Sequence, residues 1–379
     1  MKLLMITRKV DQDDALAGFA YNWIKKIAKK TDSLKVICLE KGNISGLPEN
    51  VEIYSLNRDK YSRSSRLIRR LALCLNFQKL AWQLTPTVDG VFCHMNPEYT
   101  ILIAPYAKLF KKKIVSWYTH KAVTWRLKLM EKLADAVLTA SPESFRLPSK
   151  KVKVVGHGID VEKFKPSNVI LSPPKADEES RENLAGSSRR STESGTPQDD
   201  KNFIILSVGR ISPTKDYETL IKAADILQNK LDFKIKIIGS PGLAEQASYF
   251  FSLKEMVEKM NLREKVEFVG AVPHREIASY FKSADLFVNL SDTGSLDKAV
   301  LEAMASGALV LTSNEAFSKI LPTELMVEKN QPEILAQKIL WVFNLNQDRK
   351  KELSGKLRQI VVESHNLDKL VEKIIEQFI

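Results

Sequence analysis

Three cysteines, five histidines and 8% aromatic residues are spread over 379 positions, and each scarcity narrows what the chain is. Cys38, Cys74 and Cys93 sit in apolar surroundings without metal-ligand spacing, which argues against a disulfide scaffold or a zinc module. They read as buried, reduced thiols of a cytosolic protein. No window approaches the roughly 18 uninterrupted apolar residues of a bilayer span. The opening segment, residues 1–7, is too short in its apolar run for a signal peptide and reads as a first strand. The nearest thing to a metal-binding carboxylate pair, Asp11-Gln12-Asp13, reads as a solvated acidic turn. No internal repeat is visible.

What is present is alternation. Apolar strand-like runs at residues 3–6, 35–39, 51–55, 90–93, 114–117, 136–139 and 152–155 are separated by helix-like stretches. Such alternation implies a parallel sheet with crossover helices. Periodicity is lost between residues 165 and 201, where Ser172-Pro173-Pro174, Gly186-Ser187-Ser188 and Asp199-Asp200 read as a linker or insertion. It resumes at residues 203–208, 234–238, 266–269, 286–290 and 309–312, and an amphipathic helix closes the chain from residue 367. At 44% hydrophobic residues, this length can bury two cores.

Charge is uneven. Residues 1–165 hold 30 Lys and Arg against 15 Asp and Glu, and the remainder is slightly acidic. A basic half calls for an anionic partner: nucleic acid, membrane surface or acidic substrate. Residues 61–82 read as a helix in which Arg63, Arg66, Arg69 and Arg70 lie near Leu67, Ile68, Leu71 and Leu75. That mixture suits a helix lying in a headgroup layer, and it equally suits an ordinary surface helix. Lys111-Lys112-Lys113 either extends this surface or forms a solvated turn. No nucleic-acid motif accompanies the charge.

Two segments carry chemistry. The strand at 286–290 runs into Thr293-Gly294-Ser295-Leu296-Asp297 and then a helical pattern with Leu296, Val300 and Met304 on one face and Gly307 as its stop. A strand, a small polar turn and a helix start aim backbone N–H groups at one place, where an anion can sit. Glu302 lies two turns further on, placed to accept hydroxyls. Together these outline a nucleoside-diphosphate site. The strand at 203–208 is followed by Gly209 and Arg210, with Lys215 before the next helix, so a forked and a compact cation can converge on one phosphate.

With these residues in hand, the chain resembles retaining glycosyltransferases of family 4, which have the GT-B fold. The matches run in order: Trp117-Tyr118-Thr119-His120, Ala134-Asp135-Ala136-Val137-Leu138-Thr139-Ala140-Ser141, Gly156-His157-Gly158-Ile159-Asp160 with Phe164, Val208-Gly209-Arg210 with Lys215, Phe268-Val269-Gly270-Ala271-Val272-Pro273-His274, and residues 293–307. The resemblance implies an α/β protein of two Rossmann-like doubly wound domains facing across a cleft: an acceptor-side domain over 1–165, a linker over 166–201, a nucleotide-sugar domain over 202–355, and a C-terminal helix over 356–379 crossing back to the first domain. It implies a nucleotide-diphosphate sugar as donor and a glycan or lipid-linked acceptor, as in surface polysaccharide synthesis. The protein is then cytoplasmic or peripheral on the inner membrane face. No cofactor or metal is expected, because Arg210, Lys215 and the amides of 294–296 supply the positive charge.

His120 closely follows the strand at 114–117 and takes a catalytic role beside the transferring sugar. Gly18, Gly209, Val272, Gly294, Ser295, Leu296, Asp297 and Glu302 complete the donor site, with Glu302 on the ribose. His94 also follows a strand, His157 reads as structural, and His274 is expected near the base, its loop backbone mattering more than its ring. The family places a glutamate eight residues before Glu302, where this chain has Gly294; either Asp297 supplies a carboxylate there or none is needed. Two other readings stay open: a sugar-nucleotide epimerase of the same fold, and a basic module binding anionic lipid or nucleic acid.

Overall fold

The computed structural model describes residues 1–62, 64–166, 202–242 and 245–379. The strands are β1 (Lys2–Val10), β2 (Ser33–Lys41), β3 (Val51–Ser55), β4 (Gly90–His94), β5 (Lys113–Trp117), β6 (Ala136–Thr139), β7 (Val152–Val154), β8 (Phe203–Val208), β9 (Phe233–Ile238), β10 (Val266–Gly270), β11 (Leu286–Asn289) and β12 (Leu309–Thr312). Every expected strand is there. The helices are α1 (Phe19–Ala28), α2 (Arg66–Leu84), α3 (Pro97–Leu109), α4 (Trp125–Leu133), α5 (Tyr217–Leu227), α6 (Gln246–Lys259), α7 (Ile277–Ser283), α8 (Lys298–Ala305), α9 (Pro332–Asn344), α10 (Gln347–Ser364) and α11 (Leu367–Glu376).

The strands form two parallel sheets, ordered β3-β2-β1-β4-β5-β6-β7 and β10-β9-β8-β11-β12. In each, strand order reverses direction beside a central strand, between β1 and β4 and between β8 and β11. At such a switch point the connections leave to opposite sides and open a crevice at the carboxyl ends of the strands. The two motif segments of the second half follow β8 and β11. Topology alone therefore puts them together.

Each sheet has its own core. Leu3, Met5, Val36, Phe92 and Val115 bury one face of the first sheet, and Leu4, Ile6, Ile37 and Val91 bury the other against α2 and α3. Ile205, Ile235, Phe287 and Val310 anchor the second core. Cys38 and Cys93 are buried, which pushes both thiols up to about 12.

The chain leaves the first sheet at Val154, and Ile159, Val161 and Phe164, expected in the first unit, pack in the second core. Apart from Pro166, the linker expected over 166–201 lies outside the described residues, as does Arg63. At the other end Leu357 and Val361 still pack in the second core, so the return expected from residue 356 is made later, by α11. Leu367, Leu370, Val371 and Ile374 of that helix enter the first core. Lys26–Asp368 at 2.8 Å and Lys30–Glu372 at 3.0 Å tie α11 to α1 and the residue pair after it. The two crossings pass each other closely: Leu367 N donates to Ile159 O at 2.9 Å, and a Cβ on Gly156 would stand 1.8 Å from Ser364 O. With Gly156 at φ +87°, both space and backbone demand glycine there. Gly156→Ala is accordingly expected to lower the melting temperature markedly; an unchanged melt would mean the crossing is loose.

Candidate functional site

Gly209 and Arg210 emerge from β8 into a cavity that also receives Gly239 and Ser240 from the end of β9, Val272 and His274 from the loop after β10, and Glu302 from α8. Ala15 and Leu16, from the loop after β1, close it from the first sheet. Arg210 is exposed, its Cδ running alongside Gly242. The cavity thus has an exposed cation at its rim and a buried carboxylate at its back.

Glu302 is 5% exposed and sits among cations. Lys298, one turn earlier on α8, brings its Nζ within 3.4 Å of Oε1, and the ring of His274 reaches the same oxygen with Nε2 at 3.3 Å. Lys163 Nζ donates to Nδ1 of that ring at 3.0 Å. An ammonium can only donate, so Nδ1 is the acceptor and the ring proton is on Nε2, facing the carboxylate. Burial alone would raise the Glu302 carboxyl; Lys298 first, then His274 and Lys163, reverse this and hold it at about 2. Burial brings His274 down to about 4, leaving it neutral at pH 7, and brings Lys163 down to about 8 against the pull of Glu302. Glu302 is therefore an anion held rigidly, able to accept hydroxyl hydrogen bonds at no cost in reorganisation.

The helix carrying Glu302 begins at Lys298, so Leu296 precedes it and Glu302 stands one turn in rather than two. Leu296 is buried nonetheless. Asp297 takes the N-cap position but caps nothing with its side chain. Both its carboxylate oxygens accept from Lys215 Nζ at 3.1 Å, and Ser291 Oγ accepts from the same ammonium at 3.3 Å. Lys215 in turn lies across Gly209, where a Cβ would meet its Cε at 3.1 Å. Asn314 Nδ2 pins the turn by donating to Ser295 O at 2.8 Å. The amides of Gly294, Ser295, Leu296 and Asp297 have no acceptor among the described residues. They are the open donors of an anion site.

Gly294 has φ +61°, and a Cβ there would come within 3.0 Å of Lys121 Cδ and 3.1 Å of Glu315 Oε1. Where the related pattern carries a glutamate, this chain thus has a left-handed glycine hemmed in by a lysine of the first half and a neighbouring carboxylate. Lys121 Nζ also donates to Asp292 O at 3.2 Å, and Arg146 pairs with Glu315 at 3.5 Å, so the turn is held from across the crevice.

The sequence places Gly18 beside the donor, but Ala15 and Leu16 line the cavity instead. Gly18 is a point of close approach: a Cβ would stand 2.7 Å from the Cβ of His274. His120 is exposed, its Nδ1 accepting from Ala122 N at 3.1 Å, and it faces a separate hollow with Asn96, Glu98, Tyr118 and Arg126. His94, at the end of β4, is buried; Nδ1 shares a 3.0 Å hydrogen bond with Thr7 Oγ1 of β1, while Nε2 has no partner among the described residues. It borders a hollow with Arg8, Lys9 and Glu40 at the switch point of the first sheet.

Sequence reasoning missed Lys298, Lys163 and the ring of His274. Lys298 was legible, since a cation four residues from a carboxylate on one helix faces it. Lys163 and His274 come from 139 and 28 positions away, and only folding joins them to Glu302. His274 is engaged through its ring by Glu302 and Lys163, and its backbone oxygen accepts from Lys163 as well.

Residues 188–359 match the family model described as glycosyl transferases group 1. The chain is 30% identical over 123 residues to alpha-monoglucosyldiacylglycerol synthase of Streptococcus pneumoniae, covering 32% of this chain and 26% of that protein. It is 30% identical over 171 residues to D-inositol 3-phosphate glycosyltransferase of Paenarthrobacter aurescens, covering 44% of this chain and 39% of that one. The matched segments thus span less than half of these relatives. Among solved structures, Anabaena HepE in complex with UDP and glucose superposes with a TM-score of 0.73 at 16% identity, covering 100% of this chain and 99% of that one. Sucrose-phosphate synthase of Thermosynechococcus elongatus gives 0.71 at 15% identity, covering 100% and 98%. The fold is the GT-B fold, shared with both of these structures, and the match to the glycosyl transferases group 1 model lies within its second half.

Proposed function

We infer that the protein transfers a sugar from a nucleotide-diphosphate donor to a glycan or lipid-linked acceptor, in the synthesis of surface polysaccharide or a related glycoconjugate. The observation that carries this is Glu302, an ionised carboxylate at the back of a cavity whose rim bears Gly209 and Arg210, with Lys215 packed across Gly209 and paired with Asp297 of the turn after β11. The ribose hydroxyls donate to Glu302. The diphosphate lies toward Arg210, Lys215 and the amides of Gly294, Ser295 and Leu296, which meet the charge that grows on the leaving group as the sugar–phosphate bond breaks. Val272 and Gly209 wall the nucleoside. Asp297 holds Lys215 in place until the diphosphate takes over its ammonium. His120, across the crevice, serves the transferring sugar when the two halves close. Support for retention of anomeric configuration comes from the ordered motifs shared with family 4.

With cations and amides supplying the charge, chelators are expected to leave the rate unchanged; loss of transfer in EDTA, restored by a divalent metal, would show that a metal carries part of it. Melting in the presence of UDP, GDP, CDP or ADP is the direct test. One of them should stabilise the protein, by about 2.7 kcal/mol at a hundredfold excess over Kd. Lys215→Ala should abolish that shift and slow transfer by about 100-fold, the range for removing one donor from a charge-stabilising site. If none of the four nucleotides shifts the melt, and no nucleotide is released from their sugars with acceptor present, the reading fails. Product anomers read by NMR decide retention, and a sugar changed without acceptor would identify an epimerase.

A further inference from the structure

On the first-half side of the crevice, Lys121 has no carboxylate partner among the described residues. It directly follows His120 in the loop after β5, and that loop is held in place. His120 N donates to Ser144 O at 2.9 Å, Ala122 N to the His120 ring at 3.1 Å, and the Tyr118 hydroxyl to Ala122 O at 3.1 Å. The Lys121 side chain lies over buried Gly294, its Cδ and Nζ at 3.0 and 3.2 Å from where a Cβ would stand. The space of a side chain at 294 is thus filled from the other half, by an ammonium where the related pattern carries a glutamate. Its Nζ donates to Asp292 O at 3.2 Å, and its remaining N–H groups have no acceptor among the described residues.

The carboxylates around the turn are engaged by other cations. Asp292 pairs with Lys329, Asp297 with Lys215 at 3.1 Å, and Glu315 with Arg146 at 3.5 Å. Glu143, further along the loop from Lys121, pairs with Lys319 at 3.6 Å. Lys121 is left over. Closing the crevice on a donor strips water from that ammonium, which is costly unless an anion meets it. The diphosphate has Arg210 and Lys215 for its charge. The group beyond it is the sugar, set between His120 and the turn at Gly294.

We propose that the donor sugar carries a carboxylate, as a hexuronic acid does, and that Lys121 is the residue that selects it. The ammonium donates to the carboxylate while Asp292 O fixes its direction. A neutral hexose, which offers only hydroxyls, does not form that charge-assisted pair. Gly294 contributes twice: with no side chain it admits the lysine, and with no carboxylate it does not repel the one on the sugar. This donor class rests on the transferase reading and narrows it.

The test is titration calorimetry of the full chain, without acceptor. The probes are the nucleoside diphosphate that raises its melt, and the hexose and hexuronic acid esters of that nucleotide. For uridine these are UDP, UDP-glucose, UDP-galactose, UDP-glucuronic acid and UDP-galacturonic acid. One uronic ester should bind at least about tenfold more tightly than its hexose counterpart, the scale of a hydrogen bond to a charged group. Added salt should narrow that ratio. Lys121→Met should bring the ratio down to about one, and Lys121→Arg should keep most of it. Equal or weaker binding of the uronic esters, or a preference that survives Lys121→Met, would overturn the proposal. So would a Lys121→Met protein that loses affinity for the nucleoside diphosphate itself, which would put the lysine on the diphosphate. A variant whose only change is a raised KM for acceptor would equally overturn it, by putting the lysine on the acceptor. Nucleotide binding without a uronate preference overturns only the donor class, whereas no nucleotide binding at all overturns the transfer reading beneath it.

Discussion

Glu302→Ala is expected to lower both stability and donor use, and for one physical reason. The carboxylate offsets Lys298 and Lys163 in a place with little water, and His274 donates to it through Nε2. Without it, two ammonium groups remain with no anion between them. Removing one partner of a buried ionic group typically costs about 3–5 kcal/mol, because the charge left behind is uncompensated. Donor use should fall by one to two decades, since a hydrogen bond to a charged group contributes roughly 1.5–3 kcal/mol. Glu302→Gln separates the two effects. It keeps the shape and an acceptor oxygen, so it should retain more donor affinity than alanine while still losing stability. Adding Lys298→Met to Glu302→Gln removes the stranded charge and should recover part of that loss. Urea melts and donor titrations read both quantities. A Glu302→Ala protein with wild-type melting and wild-type donor affinity would sink the assignment.

Stability is expected to fall steeply as pH drops from about 6.5 toward 4. Burial is the leading cause at four histidines: it lowers His94 to about 3 and His157, His274 and His365 to about 4. The sign follows directly. Below the ordinary imidazole value of 6.5 the unfolded chain takes up protons that the folded chain refuses, so acid favours the unfolded state. The stabilisation is fully present above 6.5 and is lost as pH falls toward the folded values. Each histidine contributes a slope of at most about 1.4 kcal/mol per pH unit, so the four together reach about 5 kcal/mol per unit. Glu302, held at about 2, adds a loss of the same sign only below its ordinary carboxylate range. Melts at successive pH values should show this fall, and His365→Gln should shallow it. A melting temperature that is level from pH 7 to 4.5 would contradict the buried, neutral state of these rings.

All twelve strands were legible because each is a short apolar run bounded by turn residues, and that signal is local. The helix start at Lys298 was misjudged because Leu296 fits the apolar period of α8 although the turn ends only at Asp297. His120 was placed correctly after β5, but nothing local says which hollow a side chain at a strand end will face. α2 shows the same limit, with Leu67, Ile68, Leu71 and Leu75 exposed and Phe77, Ala81 and Leu84 buried. Its residues give helix and amphipathicity, yet which of its two apolar sides would be buried depended on where β1, β4 and α3 lay.

From the sequence alone came the alternation that makes two parallel sheets, and the singling out of Gly209, Arg210, Lys215, the turn at Gly294 and Glu302 as candidates for one site. These are matters of spacing along the chain, which the backbone carries within one or two turns. The tertiary structure decided that Asp297 is held by Lys215, that Lys163 fixes the tautomer of His274, and that Lys121 closes on Gly294 from the other half. The first two contacts form when distant stretches of the second core pack together, and the third only once the two sheets face each other, because burial then removes water and makes each charge seek its partner.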